Sequence, residues 1–377
     1  MATRRLTNVG LKKGSQAFPA APQIDTSVAR GLVGFQKFPG ETVLINPLKF
    51  WRRKTRQAEQ VTNKFQAAFS QINALTLAME EHRRETRLLY NSLALPDRAA
   101  WYGQPPMIEG EPGSFVFPNS TLCRQESFKT PYFSYWSGRL CEGLRYHRKL
   151  WEFVFICQAL WERGAVVPGA RGLGFGVGSE PLSAFFASQN CRILATDMDV
   201  EMAEAMGWTL TNQHAVGKEA LRKPAVCPDD LFTENVSFQA CDMNDVPAEF
   251  VDFDFCWSAC ALEHLGSIEH GLAFIERSIQ CLKPGGWAIH TTEYNTSSNE
   301  ETVDNLGTVL FRRRDFERLA ARLTEQGHTV APFDFNPGDG EVDRFIDLPP
   351  YREQPHLQMA LSGFSTTSFG IIVQRGV

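Results

Sequence analysis

Residues 170–182 read ARGLGFGVGSEPL, a stretch in which glycine recurs at every second position from Gly174 to Gly178. An apolar run that ends in closely spaced glycines is typical of a strand turning sharply into a helix, because glycine permits positive φ angles and a close backbone approach to a ligand. The repeat fits a nucleotide-binding turn, and it also fits a tight loop that holds no ligand. The residues downstream decide between the two.

From residue 172 onward, seven short β-rich runs alternate with helical patterns. The runs are residues 172–177, 191–197, 236–242, 253–258, 287–293, 329–335 and 368–374. This alternation predicts an α/β fold with a Rossmann-like, doubly wound, mostly parallel sheet of seven strands. No convincing helical pattern separates the last two runs, so we expect them to form an antiparallel hairpin at one edge of the sheet.

Acidic residues end the second and third runs. Asp197 lies 19 residues beyond Gly178, close to the spacing of about 20 seen between glycine turn and ribose-binding acid in dinucleotide sites. Asp199 is a second acid nearby, and we favour Asp197 because it ends the apolar run. An ionised carboxylate only accepts hydrogen bonds, which suits ribose hydroxyls. The glycine turn and Asp197 alone would fit a dinucleotide enzyme equally well.

Five segments together resemble the class I S-adenosylmethionine-dependent methyltransferases in order and spacing. They are GLGFGVG (172–178), ILATDMD (193–199), QACDMND (239–245), FDFCWSACALEHLGS (253–267) and LKPGGWAI (282–289). The resemblance covers residues 166–377. It implies a methyltransferase whose cofactor is S-adenosylmethionine.

The resemblance also implies which residues bind the cofactor. They are Gly174, Gly176, Gly178, Glu180, Asp197, Met198, Asp242, Met243 and Ser258. The glycines would lie against the methionine and ribose, and Asp197 would accept hydrogen bonds from the ribose hydroxyls. Asp242 would accept from the adenine amino group, and Ser258 would border the methyl group.

The chain departs from the family pattern just before the glycine turn. Gly172 stands where the family often has an acid, so the amino group of the cofactor must be recognised elsewhere. Glu180 follows the glycines and has two interpretations. It could contact the cofactor, or it could stabilise the N-terminus of the next helix electrostatically.

Methyl transfer to a hydroxyl group requires a base near the methyl group, ordinarily His, Asp or Glu. Three catalytic candidates stand out: His264 after the fourth strand, Glu293 at the end of the fifth, and His147 ahead of the glycine turn. We expect Glu293 and Asn295 to be the more exposed pair and the first choice for contact with the substrate. No group of Asp, Glu and His has recognisable metal-ligand spacing, so no metal is predicted.

Aromatic and basic residues are dense between residues 128 and 149. Aromatic rings stack on sugar faces, and arginine binds carboxylate or phosphate. The segment is similar to methyltransferases that modify bacterial polysaccharides or glycans. We therefore predict O-methylation of a sugar or glycan precursor. Two alternatives stay open: O- or N-methylation of another small molecule, and a non-catalytic scaffold that binds the cofactor.

The N-terminal part of the chain has a different character. Residues 1–50 are predicted to form a basic, loosely ordered arm, since residues 1–56 hold eleven Lys and Arg against two acids. Residues 51–95 are predicted to form a long helix with apolar residues at heptad spacing. This helix would either pair in a coiled-coil homodimer or cover the catalytic domain. Residues 96–165 are predicted to be a linker and a helical lid over the substrate.

The composition of the chain indicates its cellular compartment and the classes of partner to expect. No run of 18 apolar residues and no secretory apolar segment is present, and the nine cysteines occur singly without a CxxC pair. These features predict a cytoplasmic protein with reduced cysteines. The basic arm could contact an anionic membrane surface. The acidic catalytic domain, and CWSA in place of an NPPY-like motif, argue against a nucleic-acid acceptor.

Overall fold

The computed structural model describes residues 47–92, 110–114, 119–199 and 214–377. The chain divides into two compact units, Met1–Thr86 and Arg87–Val377. The predicted arm up to residue 46, its membrane contact and the helical pattern at residues 200–208 lie outside the described residues. Of the helices that are described, none has the length and apolar character that crossing a membrane requires.

The long helix predicted over residues 51–95 is present as α1 (Pro47–Ser92). The apolar side chains described at its heptad positions are exposed, with exposed fractions from 58% at Ile72 to 77% at Phe65. Within the first unit, nothing described covers these side chains. The coiled coil itself stays a prediction.

The described residues of the second unit contain a mixed sheet of eleven strands. They are β1 (Ser120–Leu122), β2 (Arg171–Phe175), β3 (Arg192–Asp197), β4 (Val236–Ala240), β5 (Phe253–Ala259), β6 (Leu282–Asn295), β7 (Thr329–Val330), β8 (Phe333–Asp334), β9 (Ile346–Asp347), β10 (Gln358–Leu361) and β11 (Phe364–Gln374). The main path runs β4-β3-β2-β5-β6-β11-β1-β8. The first five strands of this path are parallel, and β11 is antiparallel to β6.

The predicted number of seven strands is wrong, although every predicted run contains strand residues. The run at 329–335 is divided into β7 and β8, while β1, β9 and β10 have no counterpart in the prediction. The expected edge hairpin is reduced to β7 pairing with the end of β11. Strand β11 lies inside the sheet because β6 covers one of its edges and β10, β1 and β7 cover the other. Strands of two to four residues are too short to show a period-two pattern.

Helices pack on both faces of the sheet. They are α2 (Pro131–Arg139), α3 (Arg148–Glu162), α4 (Leu182–Ser188), α5 (Asp229–Asn235), α6 (Ile268–Gln280) and α7 (Arg313–Glu325). Helices α3 and α4 share one apolar core with Phe255 and Trp257, whereas α6 and α7 share the other with Cys256. Consecutive residues of β5 thus face opposite cores, as strand geometry requires. This arrangement fits the expected Rossmann-like, doubly wound architecture.

Helix α3, predicted as part of a lid, is a core helix. Ten of its residues are buried. A Cβ at Gly370 of β11 would collide with the Phe155 ring, so glycine at this position lets Phe155 pack directly on the sheet. The strongly apolar sequence of α3 is the physical reason for its burial. Eight of the nine cysteines are also buried, and all nine are free thiols.

Candidate active site

A cavity of about 330 Å³ opens where the strand order reverses between β2 and β5. Its wall includes the turn after β2 (residues 176–181), residues after β3, β4 and β5, and three side chains ahead of β2: Glu142, Lys149 and Phe153. In doubly wound sheets, ligands bind at the carboxyl ends of the strands at this reversal. The cavity therefore lies where the fold places a cofactor.

The three glycines of the turn have different functions. Gly176 and Gly178 line the cavity with φ angles of 56° and 49°, which favour glycine. A Cβ at position 176 would lie 2.7 Å from the Cβ of Ala261. Gly174 is inside β2, and a Cβ there would lie 2.5 Å from the Trp257 ring. Gly174 is thus required for packing against Trp257, whereas Gly176 and Gly178 shape the cavity.

Asp197 connects the glycine turn to the end of β3. Its Oδ2 accepts from the backbone N–H groups of Gly178 and Ala215 at 2.9 Å each, and its Oδ1 accepts from the N–H of Met198 at 2.8 Å. Burial raises the pKa of Asp197, and these three amide bonds oppose the rise. A carboxylate has about four acceptor positions, so these three bonds leave Asp197 able to accept from a further donor. Asp197 and Met198, both predicted to bind the cofactor, line the cavity.

The predicted residue after β4, Asp242, is not the one that lines the cavity. Cys241 and Met243 are in its wall, whereas Asp242 is not. The Oδ1 of Asp242 accepts from the backbone N–H of Asn244 at 2.8 Å, which stabilises the turn locally. The geometry therefore brings Met243, also predicted to bind the cofactor, to the cavity and gives no support to the predicted role of Asp242.

Ser258 is buried inside the sheet. Its Oγ lies 2.8 Å from Nδ1 of His290, whose Nε2 lies 2.9 Å from the Oγ of Ser278. Burial lowers the pKa of His290 to about 3, so this histidine is neutral. Ser258 therefore belongs to a core hydrogen-bond chain, and the next residue, Ala259, reaches the cavity instead.

Of the three catalytic candidates, His264 is the one that lines the cavity. Its Nδ1 lies 3.0 Å from the carbonyl oxygen of Gly307. Because a carbonyl oxygen only accepts hydrogen bonds, Nδ1 carries the hydrogen of the neutral ring and Nε2 has the lone pair. Nε2 of His264 is therefore able to accept a proton.

His147 has a structural position instead. It is the N-cap residue of α3, where its Nδ1 accepts from the N–H of Lys149 at 3.1 Å. Its ring packs against that of His356, with 4.8 Å between centroids. Burial lowers the pKa of His147 to about 2. Because His147 is absent from the cavity wall among the described residues, the geometry does not support a catalytic role.

The expectation that Glu293 and Asn295 are exposed is wrong. The exposed fraction of Glu293 is 3% and that of Asn295 is 2%. Glu293 forms an ion pair with Arg148 of α3 and accepts from the Oγ1 of Thr366 at 2.8 Å. Pattern analysis misses this burial because β11 and α3, which cover the end of β6, are distant in sequence.

A network of buried charges lies next to the cavity. Glu152 forms ion pairs with Lys149 at 3.1 Å and with Arg148 at 3.2 Å, and the thiol of Cys260 donates to Glu152 at 3.0 Å. Cys260, Glu263 and Glu293 have ligand atoms within 4.8 Å of one another, close enough to hold a metal ion. The guanidinium of Arg148 already compensates Glu293. The expectation of no metal stays a prediction.

Several cavity residues have no motif that would identify them in advance. His214 contacts the carbonyl oxygen of Met198 through Nε2 at 2.7 Å, and Lys149, Phe153 and Cys260 also line the cavity. Cys260 has a φ angle of 49°, which is uncommon for a residue with a side chain. Such positions depend on chain segments that only the fold brings together.

Comparison with known proteins identifies the domain that contains this cavity. Residues 173–290 match the model of a family described as a methyltransferase domain. No curated protein matches the chain.

The fold resembles many solved structures. One is a Galdieria sulphuraria protein whose proposed activity is that of a sarcosine dimethylglycine methyltransferase, with 14% identity, a TM-score of 0.40, and coverage of 70% of this chain and 94% of that chain. Another is the magnesium protoporphyrin IX methyltransferase of Synechocystis PCC 6803 with bound S-adenosylhomocysteine, with 13% identity, a TM-score of 0.34, and coverage of 58% and 78%. A third is an S-adenosylmethionine-dependent methyltransferase from Mesorhizobium loti, with 15% identity, a TM-score of 0.35, and coverage of 58% and 96%.

The matched residues include sixteen of the nineteen residues that line the cavity, all except Glu142, Lys149 and Phe153. Residues 173–290 thus match a methyltransferase domain, and the protein is an enzyme that uses S-adenosylmethionine.

Proposed function

We propose that this S-adenosylmethionine-dependent methyltransferase methylates a hydroxyl group of a sugar or glycan precursor. The observation that carries the proposal is the composition of the cavity wall ahead of β2, where the aromatic ring of Phe153 accompanies the charged groups of Lys149 and Glu142. An aromatic ring can stack on the apolar face of a sugar, and charged groups form strong hydrogen bonds with its hydroxyls or with a phosphate. The proposed cofactor contacts Gly176, Gly178, Asp197 and Met243 lie in another part of the same wall.

In the proposed reaction, different residues around the cavity bind the methyl donor, orient the acceptor and remove its proton. S-adenosylmethionine supplies the methyl group, which the acceptor oxygen attacks in line with the departing sulfur. Gly176, Gly178 and Asp197 hold the donor, and Phe153 and Lys149 orient the acceptor. Nε2 of His264 takes the hydroxyl proton as the new carbon–oxygen bond forms. The products are a methyl ether and S-adenosylhomocysteine.

We expect Phe153→Ala to raise the KM for the acceptor about tenfold while the affinity for S-adenosylmethionine changes little, because the loss of one stacked ring removes about 1 to 1.5 kcal/mol. The acceptor is first identified by a methyl-transfer screen of the wild type across nucleotide sugars, lipid-linked glycans, phenols and amines. Steady-state kinetics and calorimetry then measure the two effects. Methyl transfer to amines alone would contradict the proposal. So would a KM of Phe153→Ala for the sugar acceptor that equals the wild-type KM.

The exposed apolar side chains of α1 support a second proposal, that two copies of the chain pair through this helix. Phe65, Ile72, Leu75 and Met79 follow the alternating four- and three-residue steps of a heptad seam, and each is more than half exposed. Covering such a seam with the same face of a second helix is the usual stabilisation of a coiled coil.

We expect the wild type to be a dimer and Ile72→Glu to be monomeric at micromolar concentration, because a carboxylate in the seam would be buried without a partner. Light scattering coupled to size-exclusion chromatography measures the mass. Asn73→Glu, which adds the same charge one residue away from the seam, is the control and should remain dimeric. A monomeric wild type would refute the pairing.

A further inference from the structure

We propose that Glu180 binds the α-ammonium group of the cofactor's methionine moiety, with the indole of Trp257 fixing the direction of its carboxylate. The inference rests on S-adenosylmethionine being the cofactor. It assigns Glu180 a ligand-binding role in place of the helix-stabilising alternative. Helix α4 begins two residues later, at Leu182, and its N-cap residue Pro181 makes no side-chain cap.

The cavity has three carboxylates in its described wall, and they differ in what they already bind. Glu142 forms an ion pair with Arg145 at 2.9 Å. Asp197 accepts three backbone hydrogen bonds. Glu180 is 8% exposed and, across the described residues, takes part in no ion pair. Of these three carboxyl groups, Glu180 is therefore the one most suited to pair with a cationic ligand in the cavity.

Trp257 gives this carboxylate a defined orientation. Its Nε1 donates to Oε1 of Glu180 at 2.6 Å, which leaves Oε2 for a second partner. The indole is held between Phe186, at 5.0 Å between centroids, and the backbone of Gly174, where a Cβ would collide with it. Gly174, Trp257 and Glu180 thus form a continuous contact from the glycine motif to the cavity. Because the indole cannot shift, the carboxylate is held ready for a ligand.

The surrounding charges make the site responsive to a bound cation. Burial raises the pKa of Glu180 to about 8, so the carboxyl group is mainly protonated at pH 7 when no ligand is bound. Lys149 favours its ionised form, whereas Glu152 and Asp197 oppose ionisation; the thiol of Cys157 also lies near it. An ammonium group beside Glu180 adds positive charge and lowers its pKa. Cofactor binding near pH 7 should therefore release a proton.

The test compares three ligands by calorimetry on the wild type and Glu180→Gln. S-adenosylmethionine and S-adenosylhomocysteine both carry the ammonium group, whereas 5′-methylthioadenosine lacks it. We expect the variant to bind the first two about tenfold more weakly and the third with unchanged affinity, because a glutamine loses the charge-assisted bond. Glutamine still accepts from Trp257, so the fold should be retained.

Proton release gives an independent readout. Binding enthalpies measured at pH 6.5 in two buffers with different ionisation enthalpies should show proton release by the wild type that is lost in Glu180→Gln. Trp257→Phe removes the indole N–H together with part of the buried ring, so it is used only if thermal unfolding shows that the variant is folded, and it should then weaken the same two ligands by a smaller factor. Glu317→Gln, which alters an exposed carboxylate paired with Arg313 outside the cavity, is the control and should change nothing.

Three outcomes would overturn the proposal. Equal weakening of all three ligands would mean that Glu180 only shapes the cavity. Weakening of S-adenosylmethionine alone would place the carboxylate at the sulfonium instead of the ammonium. Unchanged affinity for all three would remove Glu180 from the site. Failure of the wild type to bind any of the three is a separate result, because it would refute the cofactor site itself.

Discussion

Asp197→Ala is expected to raise the dissociation constant for S-adenosylmethionine at least about a hundredfold. The substitution removes the predicted acceptor for the ribose hydroxyls. It also leaves the backbone N–H groups of Gly178, Met198 and Ala215 without the carboxylate that they share. Each buried donor that loses its acceptor costs about 1 to 3 kcal/mol, so the glycine turn should lose the conformation that the cofactor requires.

Calorimetry on folded protein measures this effect, and two further variants locate its cause. Asp197→Asn retains one acceptor oxygen, so its dissociation constant for S-adenosylmethionine should lie between those of the wild type and the alanine variant. Asp199→Ala removes the neighbouring exposed acid, which is outside the cavity wall, and should change the affinity less than about threefold. A stronger effect at Asp199 than at Asp197 would reverse the assignment of the ribose contact.

His264→Gln is expected to lower kcat by about a hundredfold to ten-thousandfold, the range contributed by a positioned general base. The Nδ1 hydrogen bond to Gly307 leaves Nε2 as the basic nitrogen on a ring in the cavity wall. Glutamine fills similar space without an atom that accepts the proton. The affinity for S-adenosylmethionine should change little, since the proposed contacts with the donor are made by other residues.

The kinetic parameter that changes separates a base from a residue that only packs. His264→Gln should lower kcat while the KM for the acceptor stays close to that of the wild type. His270→Gln is the matched control, since Nδ1 of His270 also lies against a backbone carbonyl, that of Leu265 at 2.9 Å, but its ring is outside the cavity wall. An unchanged kcat in His264→Gln would exclude this base.

The sequence by itself determined the alternation of strands and helices in the central sheet and the predicted position of the cofactor site. Glycines at alternate positions after an apolar run, an acid ending the next run, and ALEH after β5 are local patterns. Each depends on backbone conformation or strand direction within a few residues. The same local logic predicts α6 and α7, whose apolar residues recur at helical spacing. These features lie in the part of the chain that matches the methyltransferase model, or directly after it.

Only the tertiary structure decided which polar side chains reach the cavity. Glu293 lies near the carboxyl end of β6 and His264 follows β5, so the two look equally accessible in sequence. Arg148 and β11 bury the first, while the second faces the cavity. Glu180 and Gly174 acquire their roles through Trp257, which is about 80 residues further along the chain. Burial and ion pairing depend on contacts between segments distant in sequence, and local periodicity carries no information about them.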